Sequence, residues 1–200
     1  MPLITHKPFA EVEMATNQTH SSADQQRDPL LEKLGAIPAA QTEVFAYSVK
    51  IVCGRQTETN CCCVAGARPG VYGTEVNIQN TNIVPATVVK LVVPLINSGA
   101  VVAREPKVAD PVAIPGRAIA EAVKLPPWGA TMDDCCHIAE LLLGAPPSGD
   151  TALTIGILTI VSLVELSVSA VYTANPLSGD GISIDVEYIP PRRLPIRGAG

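Results

Sequence analysis

A two-residue alternation confines this chain to a narrow set of folds. Phe45, Tyr47, Val49, Ile51 and Cys53 alternate with Ala46, Ser48, Lys50 and Val52. That period places one row of side chains on a buried sheet face. The pattern returns in residues 71–79, where Tyr72, Thr74, Val76 and Ile78 share a face and Glu75, Asn77 and Gln79 share the other. Residues 87–95 are heavily β-branched, and residues 101–104 read as an edge continuation. Residues 118–125, 153–161, 164–173 and 182–188 supply further strands, the last marked by Ile182, Ile184, Val186 and Tyr188. Polar or glycine-bearing turns separate them, at residues 80–82, 97–99 and 178–181. Pro106, Pro111 and Pro115 exclude residues 105–116 from regular central pairing. Neither βαβ alternation nor a repeat of fixed period is present. The expectation is a mainly β chain, an antiparallel sandwich of seven to eight strands.

One stretch breaks the pattern. Thr131 followed by Asp134 has the spacing of a capping box, Asp133 and Asp134 suit the positive end of a helix dipole, and Ile138, Leu141 and Leu142 recur at helical spacing before Gly144. This predicts one short helix at about 131–143, with Cys135, Cys136 and His137 in its first turn.

Residues 1–43 read as a flexible N-terminal arm, residues 44–190 as the sandwich domain and residues 191–200 as a C-terminal tail. Residues 16–28 lack apolar periodicity. Asp28, Pro29 and Gly35 have the placement of cap, first position and stop for two helical turns, which need a docking surface on this subunit or a neighbour. The residues up to Val44 contain no basic segment followed by an apolar run, which points to the cytoplasm, with leaderless export as the other route. Residues 153–171 have the length of a membrane span, but Glu165 lies among them and Ser162 divides them into two strands, so no span is expected.

Quoted together, residues 47–54 (YSVKIVCG), 68–72 (RPGVY), 131–136 (TMDDCC) and 166–173 (LSVSAVYT) resemble a group of bacterial β-sandwich proteins to which no activity is assigned. The resemblance covers roughly residues 44–189. The later strands are also similar to the small sandwich of the sensory-rhodopsin transducer type. These resemblances imply a sandwich fold, and the second implies a binding and oligomerising role.

The six cysteines are Cys53, Cys61, Cys62, Cys63, Cys135 and Cys136. Three readings compete. Four of these sulfurs, or three with His137, suit Zn²⁺ or an iron–sulfur cluster, and a helix N-terminus favours the thiolate. Alternatively they form disulfides within or between subunits, which requires an oxidising compartment. The third reading is free thiols serving as small apolar residues. His6 and His20 fall in the arm. Glu75, Asn77 and Gln79 form a polar stripe, either a solvated face or a ligand surface.

A net charge of −5 disfavours nucleic acid as a partner, and Arg192, Arg193 and Arg197 read as a solvated tail. The chain contains no nucleophile elbow, phosphate loop, zincin or dinucleotide motif. With charged residues at only 16%, part of the surface is expected to be covered by another copy. The reading is a non-enzymatic sandwich that binds or self-assembles as a homo-oligomer. The alternative is a metal-binding or thiol-redox protein built on the cysteine clusters.

Overall fold

A computed structural model describes residues 32–38, 40–57, 68–97, 99–101, 121–143, 152–178 and 181–196. Among these residues, ten strands and one helix follow in chain order: β1 (Glu43–Gln56), β2 (Gly70–Gln79), β3 (Ala86–Asn97), β4 (Ala100–Val101), β5 (Glu121–Leu125), β6 (Ala130–Asp133), α1 (Cys135–Leu143), β7 (Thr154–Ser162), β8 (Ser167–Pro176), β9 (Ser183–Tyr188) and β10 (Arg192–Pro195). All the strand ladders are antiparallel. The first layer runs β10-β1-β7-β3, with β5 and β4 at opposite ends of the outer edge of β3. The second runs β6-β2-β8-β9. The expected antiparallel sandwich is therefore the fold.

Strand β1 belongs to both layers. Residues 45–53 pair with β7, then residues 54–56 pair with β2. Gly54 makes that passage at φ 98°, a conformation that strains any residue carrying a Cβ. The Thr74 hydroxyl secures the crossing: it accepts from Val52 N–H and donates to Val52 C=O, both at 3.0 Å.

Side chains alternate as the sequence predicts. Tyr47, Val49 and Ile51 of β1 meet Val88 and Val92 of β3, Leu158 and Ile160 of β7, Val76 and Ile78 of β2, and Val168 and Ala170 of β8 in one apolar core. The Tyr47 hydroxyl accepts from Leu166 N–H at 2.6 Å and donates to Leu166 C=O at 2.9 Å. One phenol thus ties the first layer to the segment that leads into β8. Burial pushes this hydroxyl up to about 12, against the lowering effect of its backbone hydrogen bond, with the charges of Glu165 and Tyr188 adding to the rise. A raised folded value means that the stabilisation is complete below pH 10 and is lost as pH climbs through about 12. Tyr47→Phe leaves both Leu166 backbone groups unpaired. It is expected to cost about 2 kcal/mol in urea denaturation and to remove this alkaline loss.

Several boundaries differ from expectation. Residues 130–133 form β6 because they pair with residues 76–79 of β2. The helix therefore starts at Cys135, not near Thr131. Asp134 is its cap: Oδ1 accepts from His137 N–H at 2.8 Å. The pair three residues apart is Asp134 and His137, rather than Thr131 and Asp134. The break within residues 153–171 falls where expected, since β7 ends at Ser162 and β8 begins at Ser167. Residues 192–195 of the expected tail are strand β10, hydrogen-bonded to residues 43–46. A proline pair stops β9 but leaves the chain free to start another strand. Near the arm's end, Gly35 closes a helical turn at φ 84°, and Leu34 is buried against Val44, Ala46, Val89 and Val161 on the outer face of the first layer. The expectations for residues 16–28 and 105–116, and for Arg197, lie outside the described residues.

Candidate functional site

A sandwich has open sides, and the side between β5 and β6 is closed by charge and a helix. Lys90 lies on the inner face of β3, between Val88 and Val92. It is cross-strand partner to Glu121 of β5. Asp133 of β6 is partner to the buried Val76, so it too faces inward. Lys90 Nζ stands 2.7 Å from Asp133 Oδ1 and 2.8 Å from Glu121 Oε2. From α1, His137 Nδ1 reaches Asp133 Oδ1 at 2.7 Å, and its Nε2 lies 3.5 Å from Glu121 Oε2. The side chains of Lys90 and Asp133 are 1% and 0% exposed, whereas Glu121 and His137 are about one-third exposed. The strands that carry Glu121 and Asp133 are joined through a turn held by the buried Asn80. Asn80 Nδ2 donates to the carbonyls of Val84, Leu125 and Pro126, and Gly129 C=O accepts from Asn80 N–H. Asn80 thereby holds the turn that joins β5 to β6.

The cluster is a brace between the layers. An ammonium occupies the place between two carboxylates where a bound cation would sit. Asp133 Oδ2 has no hydrogen-bond partner among the described residues, so Asp133 depends on Lys90 and His137 for compensation. Glu121 titrates under opposing influences. Burial raises its carboxyl, but the hydrogen bond and charge of Lys90 and the charge of His137 outweigh that, and the net value falls below the usual carboxylate range. A lowered folded value contributes stability that is present above the unfolded value and lost as pH falls through the folded one. Glu121→Gln is therefore expected to flatten the acid limb of stability against pH. The difference from wild type should shrink steadily below pH 4.5 in thermal melts.

The helix is tied down at its first residue. Cys135 Sγ bonds to Cys53 Sγ at 2.08 Å, with Cα atoms 5.6 Å apart and a separation of 82 in sequence. Thr74 N–H donates to Cys135 Sγ at 3.2 Å. Joined in this way, neither Cys53 nor Cys135 offers a thiolate to a metal. Cys136 is free and exposed. Cys61, Cys62 and Cys63 lie outside the described residues. Among the described residues, no group of three or more His, Cys, Asp or Glu is arranged to hold a metal ion. The disulfide thus brings together two of the singled-out cysteines, and His137 is drawn into the ionic brace. Asp133 is in that brace rather than at the helix dipole.

Glu75, Asn77 and Gln79 face outward from the second layer, and Asn77 Nδ2 donates to Glu75 Oε1 at 2.9 Å. That outward face continues across Val171 of β8 to Ile184, Val186 and Tyr188 of β9, which are 60%, 66% and 58% exposed. On the core side of β9 are Asp185 and Glu187, and the Tyr172 hydroxyl donates to Glu187 Oε2 at 3.3 Å. Burial, then Glu187 and Asp185, push the Tyr172 hydroxyl up to about 12. Among the described residues β9 pairs only with β8 and β10 only with β1, so each has a free edge. Sequence reasoning missed Lys90, since a lysine inside an alternating strand reads as solvent-facing. Its place on the same parity as Val88 and Val92 was the available signal.

Among the described residues, no helix is long and apolar enough to cross a membrane. No protein-family model matches the chain, and no curated protein does. Among solved structures, the chain is similar to Thermotoga maritima 1070, with 10% identity over 75% of this chain and 94% of that one and a TM-score of 0.39. A likeness at that level carries no argument about this chain.

Proposed function

We propose that this protein is a non-enzymatic β-sandwich that works by associating with copies of itself. The observation that carries the reading is the apolar row of Ile184, Val186 and Tyr188, more than half exposed on a strand whose outer edge has no partner among the described residues. An apolar edge strand left in water is an aggregation hazard, and proteins ordinarily cover such an edge. The low charged fraction, 16%, points the same way. The titratable cluster under α1 is spent on holding the layers together. Its two innermost members are out of reach of solvent, which fits a structural role better than a reaction.

Native mass spectrometry and light scattering test this reading. The chain of 20.9 kDa is expected to run at twice that mass or a higher multiple at micromolar concentration. A single species at the monomer mass at about 50 μM, far above a Kd of ~1 μM, would overturn it.

A further inference from the structure

Two connections meet at one corner of the sandwich, and neither carries a charged residue. Residues 80–85 lead from β2 to β3, and residues 126–129 lead from β5 to β6. The ladders set them side by side. Gln79 at the end of β2 opposes Ala130 at the start of β6, and Ala86 at the start of β3 opposes Leu125 at the end of β5. Both connections therefore cross between the layers at the same end. Asn80 joins them, since its Nδ2 donates to Val84 C=O at 2.8 Å and to Pro126 C=O at 3.0 Å. Asn82 ties the first to the segment before β8, with Nδ2 donating to Glu165 C=O at 2.7 Å.

This firm base carries an apolar tip. Ile83 is 82% exposed and Trp128 is 64% exposed, with Val84, Pro85, Pro126 and Pro127 exposed beside them. Trp128 is also strained. Gly129 N–H donates to Pro126 C=O at 2.9 Å, so Pro127 and Trp128 are the central residues of a tight turn. Trp128 takes φ 62° at the position of such a turn that favours glycine. Among the described residues it is the only residue other than glycine with a positive φ. A bulky side chain is thus held against its backbone preference, yet most of it lies in solvent rather than in a packed core. Strain of this kind collects where a residue is placed for contact with a ligand or surface.

We propose that this tip seats the protein on a lipid surface, with Trp128 and Ile83 entering the interface of an electrically neutral bilayer. The tip acts whether or not two copies pair. Three features favour lipid over a protein partner. First, residues 80–85 and 126–129 contain no Asp, Glu, Lys or Arg, in a chain of net charge −5. The exposed charges that flank them are one base and one acid, Lys124 and Glu165, which together give no net attraction to anionic head groups. Arg192 and Arg193 lie on the opposite edge of the first layer. Second, six residues fall far short of the ~20–30 that each side of a stable protein interface supplies. Third, side chains that stand this clear of the surface would meet a flat partner only at their ends, whereas acyl chains close around them. An indole, apolar with one N–H donor, settles at the depth of the head groups. The protein then lies on the bilayer, held by buried apolar area and not by charge.

Trp128 is the chain's single tryptophan, so its fluorescence reports on the tip alone. Full-length protein is titrated with phosphatidylcholine vesicles to about 5 mM lipid, enough to read an affinity well below the ~10⁴ M⁻¹ of one acyl chain. Emission is expected to move to shorter wavelength, and phosphatidylcholine brominated on its acyl chains is expected to quench it. Both effects should persist in about 1 M sodium chloride, where the screening length is only ~3 Å. In vesicle flotation W128G should bind about tenfold more weakly, the effect of losing one large apolar group. Its Tm should equal or exceed that of wild type, because glycine relieves the strain at φ 62°. I83N keeps the reporter and should weaken binding by a similar factor, which preserves the test if W128G misfolds. The proposal is overturned if emission neither shifts nor is quenched, or if both variants float as wild type does. Binding confined to anionic phosphatidylserine vesicles and abolished by salt would overturn it in favour of a charged surface elsewhere. A shift produced by raising protein concentration and not by lipid would make the tip a contact between proteins, and would overturn it too. None of these outcomes bears on the mass measured for the free protein, which tests self-association separately.

Discussion

Replacing Cys53 and Cys135 together with alanine is expected to lower the unfolding free energy by about 4 kcal/mol. The bridge closes a loop between residues 82 apart, and the chain-entropy cost of leaving so long a loop open in the unfolded state is of that size. The bridge also decides where α1 sits. The helix has nine residues, too short to hold its shape alone. It is fixed at Cys135 by sulfur, at Asp134 by a cap and at His137 by the buried Asp133. Urea denaturation of wild type, of wild type with reductant and of the double variant makes the comparison. Reduced wild type and the variant should agree. A loss under about 1 kcal/mol would mean that the chain-entropy account overstates the bridge.

Lys90→Met is expected to cost about 3–5 kcal/mol, because it strands the Asp133 carboxylate in the core with only His137 to compensate it. Exposed Glu121 can rehydrate after the change, whereas Asp133, 0% exposed, cannot. The informative control is the double change K90M/D133L. Replacing a buried ion pair by apolar groups of similar volume is often neutral, so most of the loss should return. If the double variant is no better than K90M, the lysine matters for its packed methylenes rather than its charge. Chemical denaturation of the three proteins side by side separates these outcomes.

Much of the sandwich is legible in the residues. The parity of Tyr47, Val49 and Ile51, and of Val76 and Ile78, identifies the core faces directly, because a strand offers two faces and only one is apolar. The turn signals divide β7 from β8 at Ser162. What is less legible depends on partners distant in sequence. Residues 130–133 carry helix-start signals, yet they are a strand, since β2 offers them a ladder and Asp133 a buried ammonium. Local propensity does not contain that information. Strand β10 hides behind two prolines and two arginines for the same reason: its ladder partner among the described residues is the edge of β1. In the candidate site, the cysteine pattern marks the right helix, but spacing alone does not select Cys53 as the partner of Cys135. Lys90 is visible only once Val88 and Val92 are known to point inward.

The side of the sandwich bearing β9 and β10 is the part of this account tied to function, and amide hydrogen exchange at two protein concentrations examines it most directly. In a lone subunit, the outward amides of residues 183–188 have no acceptor among the described residues and should exchange quickly. When a second copy covers them, they gain ladder partners. The account predicts that these amides are protected at about 100 μM and lose protection on dilution toward ~100 nM, a range that brackets a micromolar Kd. The amides of β7, in the middle of its layer, should not change. Exchange at residues 183–188 that is fast and identical at both concentrations would contradict it.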